Sequence, residues 1–287
     1  MRHAVVLFSG REGSSAILSH LRRHPRIAVP LFEELDHYVL AQQVAPELHG
    51  HLPAALRRIF RAGRYEHSFF APGTGEEMPD GGHHIAFKWR GWNLGPPVAE
   101  AFAAEDAGIF LLNRRDLLNL ALSLYFTREV IGGGTQVHPQ FLLMDMPPAQ
   151  RPGYLEDLRT RRFPVDPEAL AREMCAFIAG KRSLLSAMRA FAAAGVPAWP
   201  IWYEDFAREP GPFLARMLDR LGLDMPPAVL ETEYVKVSRA DMREQVENLA
   251  ELEAHPAIRE QATRWQETCA MLEALAAREP AGAATPI

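Results

Sequence analysis

The chain has 287 residues, of which 48% are hydrophobic, so it is long enough to bury the core of one large α/β domain or of two small ones. Its formal net charge of −5 and its sequence pI near 6.1 exclude a general electrostatic attraction to nucleic acid. Any anion site must therefore come from the local placement of arginines.

Short β-rich runs alternate with helical patterns along the chain. The apolar runs 4–8 and 26–31 are each followed by a helical pattern, and 84–89, 108–113 and 197–203 are further predicted strands. This βαβ rhythm predicts a three-layer α/β fold, in which a parallel sheet is flanked by helices and ligands bind at the carboxyl ends of the strands.

Longer helices are predicted over 167–194, 210–221 and 256–278, where a Pro or Gly precedes an apolar stripe. Two segments, 61–83 and 129–166, carry no such pattern. Loops of that length inside a compact domain are usually lids or mobile segments, and we predict both segments to be loops of this kind.

Residues 1–278 are expected to form one domain, and 279–287 a disordered tail. The two cysteines, Cys175 and Cys269, fall inside helical patterns, so the sequence predicts no disulfide and favours a reducing, cytoplasmic setting. No apolar run approaches the length of a membrane span, and the N-terminus enters a strand-like run without the features of a signal peptide.

The turn after the first predicted strand reads SGREGSS, residues 9–15, and helix-favouring residues follow at once. A strand, small residues and a helix N-terminus together aim several N–H groups and the positive end of the helix dipole at one point, which suits a phosphate or sulfate. The turn contains neither the lysine-bearing GxxxxGK[ST] loop nor a GxGxxG fingerprint. The residues alone also allow an ordinary strand-to-helix turn.

This turn resembles the 5′-phosphosulfate loop of sulfotransferases that use 3′-phosphoadenosine-5′-phosphosulfate (PAPS). Arg11, Gly13, Ser14 and Ser15 match the basic residue, the glycine and the paired hydroxyl residues of that loop. The resemblance implies that these four residues bind the donor and that Arg11 also stabilises the departing phosphate during catalysis.

A second segment, 109–125, resembles the 3′-phosphate motif of the same family. There an arginine at the end of a strand and a serine eight positions later bind the nucleotide together, and Arg115 and Ser123 have this spacing. Eight residues span about two helical turns, so both side chains can face one anion. Without the resemblance, the segment reads as a helix N-terminus with a solvated arginine and a packed serine.

Two later residues extend the resemblance. Tyr203 stands in a Tyr-Glu-Asp corner within 199–223, where some sulfotransferases contact the adenine, and Lys236 stands where a basic residue often closes over the nucleotide. The alternatives are a strand-end tyrosine that covers the core and an ordinary surface lysine.

The loop departs from the family pattern at two positions. Gly10 replaces the usual proline, which loosens the turn, and Glu12 replaces a small residue. A carboxylate close to a sulfonate opposes binding unless its side chain turns away or pairs with an arginine. The sequence leaves open which of these applies to Glu12.

The resemblance implies a sulfotransferase with a P-loop-NTPase-like fold. It would transfer the sulfuryl group from PAPS to a hydroxyl of a carbohydrate, glycolipid or small alcohol, release 3′-phosphoadenosine-5′-phosphate (PAP) and require no metal. Two other classes stay open: a nucleotide or small-molecule kinase with a divergent phosphate loop, and a noncatalytic nucleotide-binding relative. A kinase needs Mg²⁺ ligands and a phosphate-loop lysine, which the sequence does not display.

The acceptor hydroxyl needs a general base, and the stretch PLFEELDHY after the second predicted strand offers one. Glu33 resembles the glutamate that carbohydrate-type sulfotransferases carry beside the acceptor, and it is the predicted base. His84 and His37 are the alternatives, because histidine is the base in the cytosolic small-molecule branch of the family. Glu33 also fits a simple first-turn acid that complements a helix dipole.

Overall fold

The computed structural model describes residues 1–29, 52–62, 84–91, 94–132, 143, 146–231 and 241–277. It contains a five-stranded parallel sheet in the order β2-β3-β1-β4-β5. The strands are β1 (His3–Leu7), β2 (Ile27–Ala28), β3 (His84–Trp89), β4 (Ala107–Asn113) and β5 (Ala198–Trp202). The α/β fold class predicted from the sequence is confirmed.

Strands β1, β3 and β4 are buried along their whole length, as expected for parallel strands with both faces covered. Leu7 of β1 lies opposite Trp89 of β3 and Leu111 of β4. The chain first adds strands on one side of β1 and then returns to its other side for β4. Ligands of open α/β sheets bind at the carboxyl ends of the strands where the order reverses in this way.

Helices connect and flank the strands. They are α1 (Ser14–Leu21), α2 (Leu52–Ala62), α3 (Pro96–Ala104), α4 (Leu117–Tyr125), α5 (Arg151–Thr160), α6 (Pro167–Ala193), α7 (Tyr203–Arg208), α8 (Pro210–Arg220), α9 (Leu249–Ala254) and α10 (Pro256–Ala276). A π-helical turn, Phe126–Ile131, follows α4, and a 3-10 turn occupies Met242–Gln245. Within the part of the chain that is described, no helix is both long and apolar enough to span a bilayer.

The chain divides into two compact units. The first comprises Met1–Asn113, Ser183–Glu233 and Leu272–Ile287 and contains the whole sheet. In its core, Phe60 packs on Phe87 and Phe102, and Phe102 packs on Phe191, with ring centroids 5.2 to 5.6 Å apart. This aromatic cluster fixes α2, α3 and α6 against the strands.

The second unit comprises Arg114–Arg182 and Tyr234–Met271. Its core is built around Phe126 and Phe163, whose ring centroids are 5.0 Å apart, and around Trp265, which is 3% exposed. The single domain expected over 1–278 stays a prediction, and the tail 279–287 lies outside the described residues.

The long helices start at the predicted residues and end within two residues of the predicted ends, and both cysteines are free thiols within helices. The prediction of a loop over 129–166 is wrong for 151–160, which form α5. Pro152 and Gly153 open that segment and look like helix breakers, but proline is favoured in the first turn of a helix. Only Leu158 is buried there, so α5 has no apolar stripe to reveal it.

Candidate anion-binding site

The loop that joins β1 to α1 has an unusual backbone. Gly10, Arg11 and Gly13 have φ values of +120°, +54° and +93°. Proline is restricted to φ near −65°, so the backbone at Gly10 does not allow a proline at this position. Arg11 has a side chain and still occupies the left-handed region, which costs on the order of 1–3 kcal/mol and is typical of binding loops.

The side chain of Glu12 folds back into this loop and bonds its backbone. Its side chain is fully buried, and Oε2 accepts the N–H of Ser9 at 2.5 Å. The carboxylate therefore turns back toward the end of β1, which is one of the two arrangements that make an acid compatible with an anion site at this position.

Helix α1 begins directly behind the loop. Gly13 is its N-cap, no side chain caps it, and no acidic residue lies in its first turn. The N–H groups of Ala16 and Ile17 donate to the carbonyl of Gly13 at 3.1 and 3.3 Å, which leaves those of Ser14 and Ser15 outside the helical hydrogen bonds. A helix start of this kind attracts an anion.

Lys88 brings an ammonium group to the same place. It lies in β3 and is 2% exposed, and its Nζ donates to Oγ of Ser15 at 2.6 Å. Nζ also lies 5.4 Å from the ring centroid of Phe8, and the guanidinium carbon of Arg90 lies 5.9 Å from it. The loop is thus flanked by two cations, Lys88 within β3 and Arg90 just after it, neither of which the sequence motifs indicated as a site residue.

A signal for Lys88 was present in the sequence. The chain has only three lysines, and Lys88 stands inside the otherwise apolar strand HIAFKW. Charged lysines are almost never fully buried without a partner, so a lysine in a strand of a parallel sheet indicates an interior anion or hydrogen-bond acceptor.

Tyr203 contacts the loop from β5. It is the first residue of α7, directly after that strand, and its ring packs against the α-carbon of Gly13. Asn113 fixes the neighbouring strand end, because its Nδ2 donates to the carbonyls of Leu111 and Ile201 at 2.7 and 3.3 Å. The structure therefore brings Tyr203 to the predicted loop.

Arg115 and Ser123 belong to the second unit. Arg115 is exposed and follows the end of β4, and its carbonyl accepts the indole N–H of Trp265 at 3.0 Å. Ser123 is 7% exposed in the last two turns of α4, and its carbonyl accepts the hydroxyl of Thr127 at 2.8 Å. Arg115 thus lies two residues after β4, and Ser123 lies on the helix that follows; their role in binding a phosphate stays a prediction.

An ion pair lies next to Arg115. Asp116 caps α4 by accepting the N–H of Asn119 at 3.0 Å, and its two carboxylate oxygens accept from Arg243 at 2.7 and 2.8 Å. The hydrogen bond with Asp116 raises the pKa of Arg243 above its ordinary value. Sequence reasoning missed Arg243, because the two partners are 127 positions apart.

The remaining predicted residues fall in two groups. Glu33, His37 and Lys236 lie outside the described residues. His84 is described, and it lies at the amino end of β3, whereas the loop after β1 lies at the carboxyl edge of the sheet. His84 is therefore not placed to act on a group held by that loop. In the described ranges no cluster of His, Cys, Asp and Glu side chains is arranged to hold a metal ion.

The chain matches no protein-family model and no curated protein. Among solved structures it is similar to a sulfotransferase from Alicyclobacillus acidocaldarius, with 17% identity, a TM-score of 0.46 and 96% of each chain covered. It is also similar to the sulfotransferase domain of the olefin synthase of Synechococcus PCC 7002, with 16% identity, a TM-score of 0.46 and 96% and 95% covered. The sulfotransferase domain from the curacin biosynthetic pathway aligns with 12% identity and a TM-score of 0.44 over 95% and 96% of the chains. Likenesses of 12% to 17% identity concern the fold alone.

Proposed function

We propose that the protein is a sulfotransferase that takes the sulfuryl group from PAPS and transfers it to a hydroxyl group of an acceptor. The observation that carries this proposal is the cation at the helix start: Nζ of Lys88 lies 2.6 Å from Oγ of Ser15, beside N–H groups of α1 that no helical bond uses. A buried ammonium, hydroxyl groups and N–H donors outside the helical hydrogen bonds together suit the negatively charged phosphosulfate group of PAPS.

The two charged groups of the donor, the 5′-phosphosulfate and the 3′-phosphate, are assigned to two different segments of the chain. The loop with Arg11, Gly13, Ser14 and Ser15 takes the 5′-phosphosulfate, and Arg115 with Ser123 takes the 3′-phosphate. Tyr203 covers the loop and is assigned to the adenine side, and Lys236 to closure over the nucleotide. No metal is required by this assignment, since arginine and lysine supply the positive charge.

The chemistry is an in-line displacement at sulfur. The acceptor oxygen forms a bond to sulfur while the bond between sulfur and the bridging oxygen of the phosphosulfate breaks, and the electron pair stays on the departing 5′-phosphate. Arg11 and Lys88 stabilise the negative charge that grows there. Because arginine does not give up its proton, Lys88 is the better placed of the two to share a proton with the leaving group.

The hydroxyl proton passes to a general base, which we assign to Glu33 on the resemblance to carbohydrate-type sulfotransferases. The position of His84 at the amino end of β3 supports this choice over that histidine. A glutamate base also favours a carbohydrate, glycolipid or small alcohol as the acceptor.

An assay with PAPS labelled in its sulfuryl group and a panel of sugars, glycolipids and small alcohols tests the proposal. The expected result is acceptor-dependent formation of PAP and of a labelled sulfate ester. Glu33→Gln should lower turnover on the order of 10²–10⁴-fold while Glu34→Gln, its neighbour, changes little. Binding of PAP without turnover on any acceptor would indicate the noncatalytic class, and phosphate transfer from ATP with Mg²⁺ would indicate a kinase.

A further inference from the structure

Arg243 binds both carboxylate oxygens of Asp116, the residue that follows Arg115. The Nη2–Oδ1 and Nη1–Oδ2 distances are 2.7 and 2.8 Å, and the side chains are 27% and 34% exposed. A bidentate ion pair of this kind fixes the orientation of the carboxylate as well as its distance from the guanidinium. Its partial burial also protects it from the screening that weakens surface ion pairs.

Two further hydrogen bonds hold residues of the same segment, 115–119. The indole N–H of Trp265 in α10 donates to the carbonyl of Arg115 at 3.0 Å. The side-chain oxygen of Asn119 in α4 accepts the N–H of Met242 at 2.9 Å. Together with the Arg243–Asp116 pair, these bonds connect residues 115–119 to the segment 241–245 and to α10 through one backbone carbonyl and two side chains, all within the second unit.

The charge of Asp116 matters for any anion bound by Arg115. A carboxylate next in sequence to an anion-binding arginine repels the anion, and it competes with the anion for the guanidinium. Arg243 occupies that carboxylate with two hydrogen bonds and offsets part of its charge, while its Nη1 also donates to Oδ1 of Asp241 at 3.2 Å.

We propose that Arg243 is a positioning residue for the 3′-phosphate end of the donor, an inference that rests on the function proposed above. By holding Asp116, it keeps that carboxylate from competing for Arg115 and fixes the backbone from which Arg115 projects. Arg243 acts through Asp116 and needs no contact with the nucleotide. The short 3-10 turn Met242–Gln245 thereby takes part in recognition of the 3′-phosphate.

The test compares two affinities in one preparation, those for PAP and for 5′-AMP, which lacks the 3′-phosphate. Arg243→Ala should lower the PAP to 5′-AMP affinity ratio by about tenfold or more and leave 5′-AMP binding nearly unchanged. Arg182→Ala is the matched control, because Arg182 bonds Glu267 and Thr268 of α10 in the same unit. The control should keep the wild-type ratio even if it lowers thermal stability.

A double variant separates charge from geometry. Asn at position 116 still caps α4 but carries no charge, so Asp116→Asn with Arg243→Ala should recover part of the ratio that Arg243→Ala loses. If the double variant has the same PAP to 5′-AMP affinity ratio as Arg243→Ala, the role given to the Asp116 carboxylate is overturned.

An Arg243→Ala variant with the wild-type ratio would overturn the proposal as a whole. If that variant does not fold, Arg243→Lys is the substitute, because it keeps the positive charge and loses the bidentate geometry. An intermediate PAP to 5′-AMP affinity ratio in Arg243→Lys supports the proposal, and an unchanged ratio overturns it. Failure of the proposed function is distinguishable, since the wild-type protein itself would then show no preference for PAP over 5′-AMP.

Discussion

Tyr203 packs so closely on Gly13 that a β-carbon at position 13 would lie 2.2 Å from both Cδ2 and Cε2 of the ring. Gly13 also has a φ of +93°, a conformation that residues with side chains rarely adopt. Two independent constraints, space and backbone conformation, therefore require glycine where Tyr203, the first residue of α7, contacts the anion-binding loop.

Replacement of Gly13 by alanine should displace either the loop or the ring of Tyr203. We expect Gly13→Ala to weaken PAP binding by about fivefold or more, because strain of about 1–3 kcal/mol moves the N–H groups away from the ligand. Calorimetric titration measures this directly. Gly153→Ala in α5 is the control, since nothing lies within 4 Å of a β-carbon there, and it should bind PAP normally. Normal affinity in Gly13→Ala would argue against the loop as the binding site.

Lys88 should matter more for the rate than for binding. Its ammonium lies at Ser15, where charge develops on the leaving phosphate, and loss of one such preorganised donor typically lowers kcat by about 10²–10³-fold. Steady-state kinetics of Lys88→Met should show this loss with a smaller change in PAP affinity. Lys181→Met removes another fully buried lysine, and it should lower stability without that selective loss of kcat. A Lys88→Met enzyme with normal kcat and a raised KM would contradict the role given to Lys88.

Glu12 accepts a hydrogen bond within the loop, and two substitutions can separate the effect of its charge from the effect of that hydrogen bond. Glu12→Gln keeps an oxygen for the N–H of Ser9 and removes the charge, so PAP should bind as well as in the wild type or more tightly. Glu12→Ala leaves that N–H without its acceptor, which costs about 1–3 kcal/mol, and should weaken PAP binding. Equal losses in the two variants would show that the negative charge itself is needed, against this account.

The histidines at the amino edge of the sheet make stability depend on pH. Burial, followed by the nearby Arg2, lowers the pKa of His3 to about 4, and burial likewise lowers the pKa values of His24 and His84. The unfolded chain binds protons at these sites below about pH 6.5, whereas folded His3 does so only near pH 4. The contribution of these histidines to the free energy of unfolding is therefore fully present above pH 6.5 and is lost as the pH decreases toward 4. For His3 this loss amounts to about 3 kcal/mol.

Urea unfolding at several pH values between 7.5 and 4.5 measures this effect. His3→Gln should flatten the decline, because a glutamine oxygen can still accept the N–H that Ile85 donates to Nδ1 at 3.0 Å, and glutamine does not titrate. An identical pH dependence in the wild type and in His3→Gln would show that His3 is not responsible.

The sequence carried strong signals for the fold. Fully buried strands such as β1 contain continuous apolar runs, and α6 has both a starting proline and a long periodic pattern. Helix α2 had a usable signal as well, since Leu52, Leu56 and Ile59 recur at helical spacing and are buried. The short, exposed α5 had none.

The candidate site was accessible from sequence only in part. The loop residues and Arg115 are local motifs, so their spacing reveals them. Lys88 reaches Ser15, and Arg243 reaches Asp116, through contacts that span 73 and 127 positions, which a single sequence does not encode as a pattern. The backbone of Gly10 and the turned carboxylate of Glu12 depend on φ values and burial that only coordinates provide.

Comparison of PAP with 5′-AMP and ATP by isothermal titration calorimetry tests the central claim most directly. A charged hydrogen bond contributes about 1.5–3 kcal/mol, so contacts from Arg115 and Ser123 should make PAP bind at least tenfold more tightly than 5′-AMP, and Arg115→Ala should remove most of that preference. ATP with Mg²⁺ should bind more weakly than PAP. Equal affinities of the wild-type protein for PAP and 5′-AMP would contradict the assignment of a PAPS-dependent sulfotransferase.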